Sequence, residues 1–454
     1  MSRPIRRRRA APLRRAAAND SGRVRVLLVH DRFPGQFTHL AADLASDPQI
    51  DLRFVAGRAD GAVPGLAPAL YQPSRPVHAD THPYLRAMER AVLNGQAAYR
   101  RLAQLKAQGF EPDLAYFHSG FGPGLYLRDL FPSARLIGYF EWYYHGMGGD
   151  AAVLTNGRLD DDARCRLRTR NADILLELMA VDRAMSPTLF QRDQFPPALR
   201  GQFTVLHDGV DTAFFAPGEV ASPRLAALGL DRPGPVVTYA TRGMEPYRGF
   251  PQFMKAADLL LRRHPDLRIV VAGSDQVAYS GRPTDGQGSY LEQALAAHPD
   301  LDRNRLILPG RLDIADYRNL LRRSTVHTYL TVPFVLSWSL IEAMATGCAL
   351  VASDTVPVRE AVSPGVEALL VDFFDWEALA SNISDLLSDP ARRESLGQQA
   401  RTRAIARYDL ASLLPQQRAA LGLPLRSPVS GRRSADDASN FKSLWKGKVS
   451  NQND

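Results

Sequence analysis

Short hydrophobic runs, separated by segments of helical periodicity, recur along the first half of the chain. Uniformly apolar runs are typical of strands buried on both faces of a parallel sheet. Strands that alternate with helices predict a parallel α/β domain. The predicted strands of this half lie at Val24–Val29, Leu52–Val55, Leu114–His118, Arg135–Phe140, Ala180–Ala184 and Phe203–Leu206.

A long amphipathic helix is predicted over residues 84–107. Its apolar positions are expected to fall on one side and to face the core; they are Leu85, Met88, Val92, Tyr99, Leu102 and Leu105. The helix also carries several basic residues, and a basic amphipathic helix can lie on a membrane surface. We favour packing against the protein's own sheet over the membrane interpretation.

The same alternation restarts in the second half of the chain. Two doubly wound halves predict an α/β fold of two Rossmann-like domains that face a central cleft, with ligands at the carboxyl ends of the strands. The predicted strands lie near 235–240, 267–272, 305–308, 326–330, 349–352 and 368–371, and the helices near 250–263, 313–323, 339–346, 375–387 and 389–406. The expected boundaries are 23–211 and 212–406 for the two domains, 407–424 for a last helix, and 1–22 and 425–454 for flexible tails.

The charge of the chain is concentrated in its N-terminal tail. The 454 residues carry a formal net charge of +8, and residues 1–22 hold seven arginines against one aspartate. The folded body is therefore close to neutral, and the basic pI describes the tail. We interpret the tail as solvated. A mitochondrial transit peptide and a peripheral contact with anionic membrane are the alternatives, and we do not expect it to bind nucleic acid.

The two cysteines, Cys165 and Cys348, do not form the pattern of a disulfide framework or a zinc site. A reduced, cytoplasmic compartment is therefore expected, with peripheral attachment at the inner face of the membrane as the alternative. No apolar run approaches the roughly 18–20 residues of a membrane span. No metal-ligand pattern is evident, and we expect neither a metal nor another cofactor.

The segment from Pro333 to Gly347 carries the most chemical information. A loop that enters a helix can hold an anion on its free N–H groups. Glu342, inside that helix, can accept hydrogen bonds from hydroxyl groups, and phosphate beside hydroxyls indicates a nucleotide sugar. A capping box between Ser339 and Glu342 is the structural alternative, and Gly347 is a candidate for a left-handed helix end.

Two arginines, Arg242 and Arg248, follow the first strand of the second half. Guanidinium groups at the carboxyl end of a strand, beside a helix start, suit a diphosphate and stabilise a departing nucleoside diphosphate. Solvated arginines in a surface loop are the alternative. Because the 333–347 segment also indicates a nucleotide sugar, we favour diphosphate binding by the two arginines.

Candidate residues of the first half also follow its strands. His118 closes a strand before a glycine-rich loop, and Gly35 and Gln36 lie in the first strand–helix loop, where a ligand can approach the backbone closely. Glu141 begins an aromatic cluster after another strand, and such a cluster can stack on a sugar. A packed histidine, an ordinary turn and the edge of the core are the corresponding structural alternatives.

Taken in order, these blocks resemble the retaining family-four glycosyltransferases of the GT-B fold over roughly residues 24–422. The matching positions are Gly35, His118, the segment His207–Asp211, Arg242, Arg248 and the 333–347 block. The resemblance implies transfer of a sugar from a nucleotide-sugar donor, with retention at the anomeric carbon. The implied acceptor is a glycan, a lipid-linked molecule or a small molecule.

The resemblance also implies a role for each candidate residue. Arg242 and Arg248 hold the diphosphate, Glu342 holds the ribose, and His118 approaches the donor sugar as the catalytic candidate. The remaining donor contacts come from Leu336, Ser337, Trp338 and Ser339, and the acceptor-side or phosphate loop from Gly35, Gln36 and Glu141. The last helix, near 409–422, is expected to brace the first domain.

One position departs from the pattern of the family. The family usually has two glutamates eight positions apart; Glu342 matches the second, and Phe334 replaces the first, which contacts the donor sugar in the family. A phenylalanine cannot accept a hydrogen bond. Two alternatives therefore stay open, a non-catalytic sugar-nucleotide-binding protein and a sugar-nucleotide epimerase of the same fold.

Overall fold

The computed structural model describes residues 22–281, 283 and 288–425, so the predicted tails lie outside the described residues except for their innermost positions. The first sheet has seven strands: β1 (Val24–Phe33), β2 (Ile50–Ala59), β3 (Ala69–Leu70), β4 (Leu114–His118), β5 (Arg135–Tyr139), β6 (Arg183–Ser186) and β7 (Phe203–Val205). All pairs are parallel, in the order β3-β2-β1-β4-β5-β6-β7. We call this sheet and its helices the N-terminal domain.

The second sheet has six parallel strands and a matching strand order. They are β8 (Val236–Gly243), β9 (Arg268–Ser274), β10 (Leu306–Gly310), β11 (Val326–Tyr329), β12 (Leu350–Ser353) and β13 (Leu369–Val371), ordered β10-β9-β8-β11-β12-β13. In each sheet the first three strands are added toward one edge and the later strands toward the other, so the strand order reverses beside the first strand. This is the arrangement of a doubly wound fold. The prediction of two Rossmann-like α/β domains is confirmed. We call this sheet and its helices the C-terminal domain.

Helices cover both sheets. Those of the N-terminal domain are α1 (Thr38–Ala45), α2 (Arg86–Ala107), α3 (Leu127–Leu130), α4 (Asp150–Val153), α5 (Asp161–Thr169), α6 (Ala172–Ala180) and α7 (Leu189–Asp193). The helices that follow are α8 (Pro223–Ala227), α9 (Phe250–Arg263), α10 (Tyr290–Ala297), α11 (Ile314–Arg323), α12 (Trp338–Thr346), α13 (Val356–Ala361), α14 (Trp376–Ser388), α15 (Pro390–Tyr408) and α16 (Leu410–Ala420). Within the part of the chain that the structure describes, no helix combines the length and apolar character needed to cross a bilayer.

Two sequence-based predictions for the N-terminal domain were wrong in detail. The strand expected at Ala180–Ala184 begins at Arg183, because Ala180 ends helix α6 and the next two residues form the turn. The segment 180–184, which the sequence predicts as one strand, thus contains the last residue of α6 and the first residues of β6. In α2 the expected inward positions Leu85, Val92 and Tyr99 are exposed.

Small residues explain the orientation of α2. Its buried face includes Ala91, Gly95 and Ala98, together with Leu102 and Leu105 from the predicted set. A Cβ on Gly95 would lie 2.7 Å from the carbonyl oxygen of Gly122, so the helix approaches the loop after β4 with no side chain between them. Close backbone packing turns the bulkier residues outward.

The chain passes twice between the domains, and the two crossings lie side by side. Val210 in the first crossing and Asp409 in the second form a parallel bridge. The amide of Val210 donates to the carbonyl of Tyr408 at 2.8 Å, and the amide of Leu410 donates to the carbonyl of Val210 at 3.0 Å. The second crossing leads into α16, whose Leu410 and Leu414 join the hydrophobic core of the N-terminal domain.

A buried ion-pair cluster fixes α16 to that domain. Arg418 is 2% exposed, and its guanidinium donates to Asp43 at 2.6 Å and to Asp47, two acids around the end of α1. A buried charge is costly unless it is paired. Both carboxylates are therefore needed to hold the arginine at this interface.

We predict that Arg418→Ala destabilises the protein by about 3–5 kcal/mol, because it leaves two carboxylates without their cation. Thermal and denaturant unfolding of the variant measure the loss. The control is Arg263→Ala, which removes an exposed arginine from the end of α9. Equal stability of the two variants would refute the anchoring role of Arg418.

Candidate active site

The site lies where the carboxyl ends of the two sheets face each other. Three contacts join the domains around it. The ring of Trp142 meets the ring of Phe334 at 4.7 Å between centroids. The hydroxyl of Tyr247 donates to Asp150 at 3.0 Å, and the indole N–H of Trp338 donates to Asp208 at 3.0 Å.

A series of hydrogen-bonded polar side chains lies at the carboxyl ends of the strands of the N-terminal domain. The amide of Arg32 donates to Nδ1 of His30 at 2.8 Å, so the other ring nitrogen, Nε2, carries the proton that meets Gln36 Oε1 at 2.6 Å. The amide nitrogen of Gln36 then donates to Glu141 at 3.1 Å. The second oxygen of Glu141 lies 3.4 Å from Nε2 of His118. Three of the candidate positions are thereby connected.

His118 ends β4 and is 2% exposed. Its Nδ1 lies 2.9 Å from the carbonyl oxygen of Ser119, which can only accept, so Nδ1 is the donor. The opposite nitrogen then faces the carboxylate of Glu141 and pairs with it when the ring is protonated. Burial alone would raise the pKa of Glu141, but His118, Gln36 and Arg242 hold it below its usual value.

Gly35 packs directly on the ring of His30. Its φ is +54°, and a Cβ at this position would lie 2.7 Å from two atoms of the imidazole. The loop can therefore approach the histidine only with a glycine here. Burial, followed by the charge of His118, lowers the pKa of His30 well below its usual value, so His30 is neutral in this chain.

A buried acid supports the loop that follows His118. Glu177 of α6 is fully buried and accepts from the hydroxyl of Ser119 at 2.6 Å and from the amide of Gly120 at 3.0 Å. Burial raises the pKa of Glu177 to about 8. Glu177 thus fixes the backbone to which His118 is bonded.

Arg248 is a buried cation at the carboxyl end of β8. It is 7% exposed, and its Nη1 donates to Thr331 Oγ1 at 2.8 Å and to the carbonyl of Val335 at 3.3 Å. The rings of Tyr279 and Phe334 lie 5.1 and 5.8 Å from its Cζ, within the range of cation–π attraction. Among the described residues, no carboxylate forms an ion pair with it.

Arg242 is exposed at the end of the same strand. Its charge acts on Glu141 and Arg32 of the N-terminal domain, lowering the pKa of each. The two arginines that the sequence grouped together thus differ, because Arg248 is buried beneath the cleft and Arg242 reaches across it.

Helix α12 begins differently from the capping box considered in the sequence. Ser337 is the N-cap, and its hydroxyl accepts from the amide of Ser339 at 3.3 Å. The capping-box interpretation is therefore wrong. The amide of Ser337 donates to Tyr329 at 3.1 Å, so two of the four amides expected to face a donor are already used inside the protein. Leu336 is buried in the core.

Glu342 is buried inside α12, and the helix ends at Gly347 with φ +80°, as predicted for a left-handed end. The carboxyl borders a cavity of about 30 Å³ that is also lined by His39, Asp211, Ile314 and Trp338. Burial raises the pKa of Glu342 to about 7, and the neighbouring phenol of Tyr317 opposes that shift. Glu342 therefore contributes a buried carboxyl group to the wall of this cavity.

Comparison with known proteins identifies this arrangement. Residues 48–215 match the family described as glycosyl transferase family 4 group, and residues 226–403 match glycosyl transferases group 1. Together the two matches cover more than half of the chain and both domains.

The chain belongs to the family 4 glycosyltransferases. It is thus a glycosyltransferase of the retaining GT-B type, and the family recognition made from the sequence is confirmed.

Relatives of this glycosyltransferase act in different pathways. A lipopolysaccharide core biosynthesis mannosyltransferase of Rhizobium leguminosarum is 27% identical over 56% of this chain and 67% of its own length. A D-inositol 3-phosphate glycosyltransferase of Mycolicibacterium gilvum is 31% identical over 42% of this chain and 40% of its own length. The chain thus spans only part of the curated relatives it matches. HepE of Anabaena, solved with UDP-glucose, superposes with a TM-score of 0.62 at 18% identity, over 87% of this chain and 99% of that one.

Phe334, where the glycosyltransferase departs from its family, is part of an aromatic cluster. Its ring contacts Trp142, Tyr247 and Tyr279 at 4.7, 5.5 and 5.1 Å between centroids. Where the family has a glutamate, this chain therefore has an aromatic ring that packs against Trp142 of the N-terminal domain.

Sequence reasoning missed several side chains of the site. The sequence indicates Asp208 only as a member of the segment His207–Asp211, although its carboxylate accepts hydrogen bonds from both Tyr139 and Trp338. Glu245 was not singled out, and its Oε2 accepts three successive amides, at Ala278, Tyr279 and Ser280. An acid within a few residues of a predicted phosphate-binding arginine was the available signal. Among the described residues no group of three or more metal-ligating side chains is placed to hold an ion; the expectation of a metal-free reaction stays a prediction.

We predict that Glu342→Gln removes a pH dependence of stability. Because the pKa of Glu342 rises from 4.5 to about 7 on folding, its contribution is complete below pH 4.5 and is lost as the pH rises through 7. The variant should therefore gain about 2–3 kcal/mol relative to the wild type between pH 5 and pH 8. Denaturant unfolding at both pH values measures this, with the exposed Glu394→Gln as control. A constant difference would contradict the prediction.

Proposed function

We propose that this glycosyltransferase binds a nucleotide sugar between the Arg242–Arg248 loop and the start of α12. The sugar is then transferred, with retention, to an acceptor held against the N-terminal sheet. The acceptor is a glycan, a lipid-linked molecule or a small molecule. Since HepE, of the same fold, was solved with UDP-glucose, uridine-diphosphate hexoses are the first donors to test.

The observation that carries the proposal is the charge of Arg248. A buried cation is costly unless an anion compensates it, and its hydrogen-bond partners are hydroxyl and carbonyl oxygens without net charge. The nearby acid Glu245 acts on Arg248 only at a distance, and one of its oxygens accepts three backbone amides. A diphosphate supplies the direct counterion that Arg248 lacks among the described residues. Arg242 adds a second, exposed cation at the end of β8, so that both stabilise the leaving nucleoside diphosphate.

Two further residues bind other parts of the donor in this proposal. The buried carboxyl of Glu342 accepts hydrogen bonds from the ribose hydroxyls in the cavity beside α12. His118, held by Ser119 and paired with Glu141, faces the donor sugar. The leaving phosphate assists deprotonation of the acceptor on the same face of the sugar, which accounts for retention without a protein nucleophile.

A donor panel tests this function. UDP-, GDP-, ADP- and dTDP-hexoses are screened by thermal shift, because a ligand of the native state raises its apparent stability, and then for release of nucleoside diphosphate. Binding without turnover on a broad acceptor panel would favour a non-catalytic binding protein. An isomerised donor without acceptor would indicate an epimerase.

Arg248→Gln should reduce kcat/KM for the donor about 100-fold or more, because it removes charge-assisted hydrogen bonds worth about 1.5–3 kcal/mol each. Arg248→Lys should retain more activity than Arg248→Gln, since it keeps the charge and loses the planar fork. Arg263→Gln, outside the cleft, is the matched control. Wild-type activity in Arg248→Gln would exclude a diphosphate at this position.

His118→Gln should lower kcat about 10- to 100-fold, the value of a hydrogen bond to a charged group, while the Kd of the nucleoside diphosphate changes little. This split separates a contact with the sugar from a role in nucleotide binding. His78→Gln is the control, because His78 is exposed. A proportional loss of nucleotide affinity would instead show that His118 only maintains the structure of the cleft.

A further inference from the structure

A second pair of arginines lies on the N-terminal side of the cleft. Arg32 of β1 and Arg58 of β2 are partners in the register of the sheet, so both side chains leave the same face. Their Nε atoms lie 3.8 and 3.2 Å from one carboxylate oxygen of Asp60. Two cations therefore share one carboxylate.

With Arg242 of the C-terminal domain included, three cations act around this position against two acids, Asp60 and Asp31. The nearby acid Asp31 faces the hydroxyl of Tyr71 at 3.5 Å. Burial lowers the pKa of Arg32, and the charges of Arg242 and Arg58 lower it further, against the opposing effect of the two acids. Cations that disfavour one another in this way gain from an anion placed between them.

The position of the pair is that of a ligand site. Both arginines lie near the carboxyl ends of adjacent strands, where doubly wound sheets bind their ligands. Their side chains are 30% and 22% exposed, so each guanidinium is accessible and partly desolvated. The Nε of Arg58 is buried and forms an ion pair with Asp60 without hydrogen-bond geometry. Neither residue is needed for the donor contacts proposed above.

We propose that Arg32 and Arg58 bind a phosphate ester carried by the acceptor, while Arg248 and Arg242 hold the diphosphate of the donor. The proposal rests on the proposed function, because it divides one cleft between the two substrates. Guanidinium forks match phosphate oxygens in geometry and charge. The acceptor is accordingly a phosphorylated sugar or polyol, either free or as the headgroup of a lipid.

The test uses the full chain with its donor site filled by UDP, or by the nucleoside diphosphate that the donor panel selects. Calorimetry compares glucose 6-phosphate with glucose, and vesicles of phosphatidylinositol with vesicles of phosphatidylcholine. We expect the anionic member of at least one pair, glucose 6-phosphate or phosphatidylinositol, to bind about 10-fold more tightly or better than its partner without net charge. The pair that responds distinguishes a free phosphate from a lipid headgroup. Equal binding within both pairs would overturn the proposal.

Variants locate the site. Arg58→Gln and Arg32→Gln should each weaken binding of the responding probe about 10- to 100-fold. Asp60→Asn should tighten binding of the probe, because the change removes the competing carboxylate. This variant tests the site even if an arginine variant fails to fold. Unchanged affinity in Asp60→Asn would count against the site. The matched control is Arg53→Gln, on the same strand, with its side chain 51% exposed and 3.3 Å from Asp51.

Two further results would overturn the proposal. Binding of the phosphate ester in the absence of nucleoside diphosphate, with its complete loss once UDP fills the donor site, would assign Arg32 and Arg58 to the donor site. Equal weakening by Arg53→Gln would indicate general surface charge. Failure of the proposed function looks different, since it appears as absence of nucleotide-sugar binding and turnover in the donor panel, before any acceptor is added.

Discussion

The pairing of the two chain crossings is the constraint on which the site depends. Each sheet positions its own residues, but the bridge between Val210 and Asp409 sets how the two sheets face each other. Asp208, beside this bridge, receives Tyr139 from the N-terminal sheet and Trp338 from the start of α12. Its backbone carbonyl accepts from Gln417 of α16 at 2.8 Å. One short segment therefore connects the end of β5, the start of α12 and helix α16.

Within that frame, Phe334 changes the electrostatics more than the shape. Its ring lies 5.8 Å from the guanidinium of Arg248, so a glutamate at this position would stand close enough to act as a counterion. Phenylalanine instead offers only a weak cation–π attraction. Among the described residues Arg248 is thus left without a carboxylate in direct contact, with Glu245 acting on it at a distance. The rings of Trp142 and Tyr247 fill the space around the substituted side chain.

The features that sequence reasoning recovered are local, and those it missed depend on distant partners. Apolar strands and the left-handed end at Gly347 follow from neighbouring residues. The cap of α12 required a choice between Ser337 and Ser339, two serines on either side of Trp338, which only the backbone decides. The pairing of Arg32 with Arg58 depends on strand register, and the face of α2 depends on a loop that comes later in the chain. Neither leaves a periodic signal.

The cavity in which we propose that the ribose binds is small in this conformation. The space beside Glu342 measures about 30 Å³, whereas pockets for ligands of nucleotide size span about 300–1,000 Å³. Its walls come from both domains, with His39 on one side and Trp338 and Glu342 on the other. A nucleoside can enter only if these walls separate. Trp338 is one of these walls, and its indole N–H donates to Asp208 at 3.0 Å, so the wall on the C-terminal side is held by the same segment that joins the two domains.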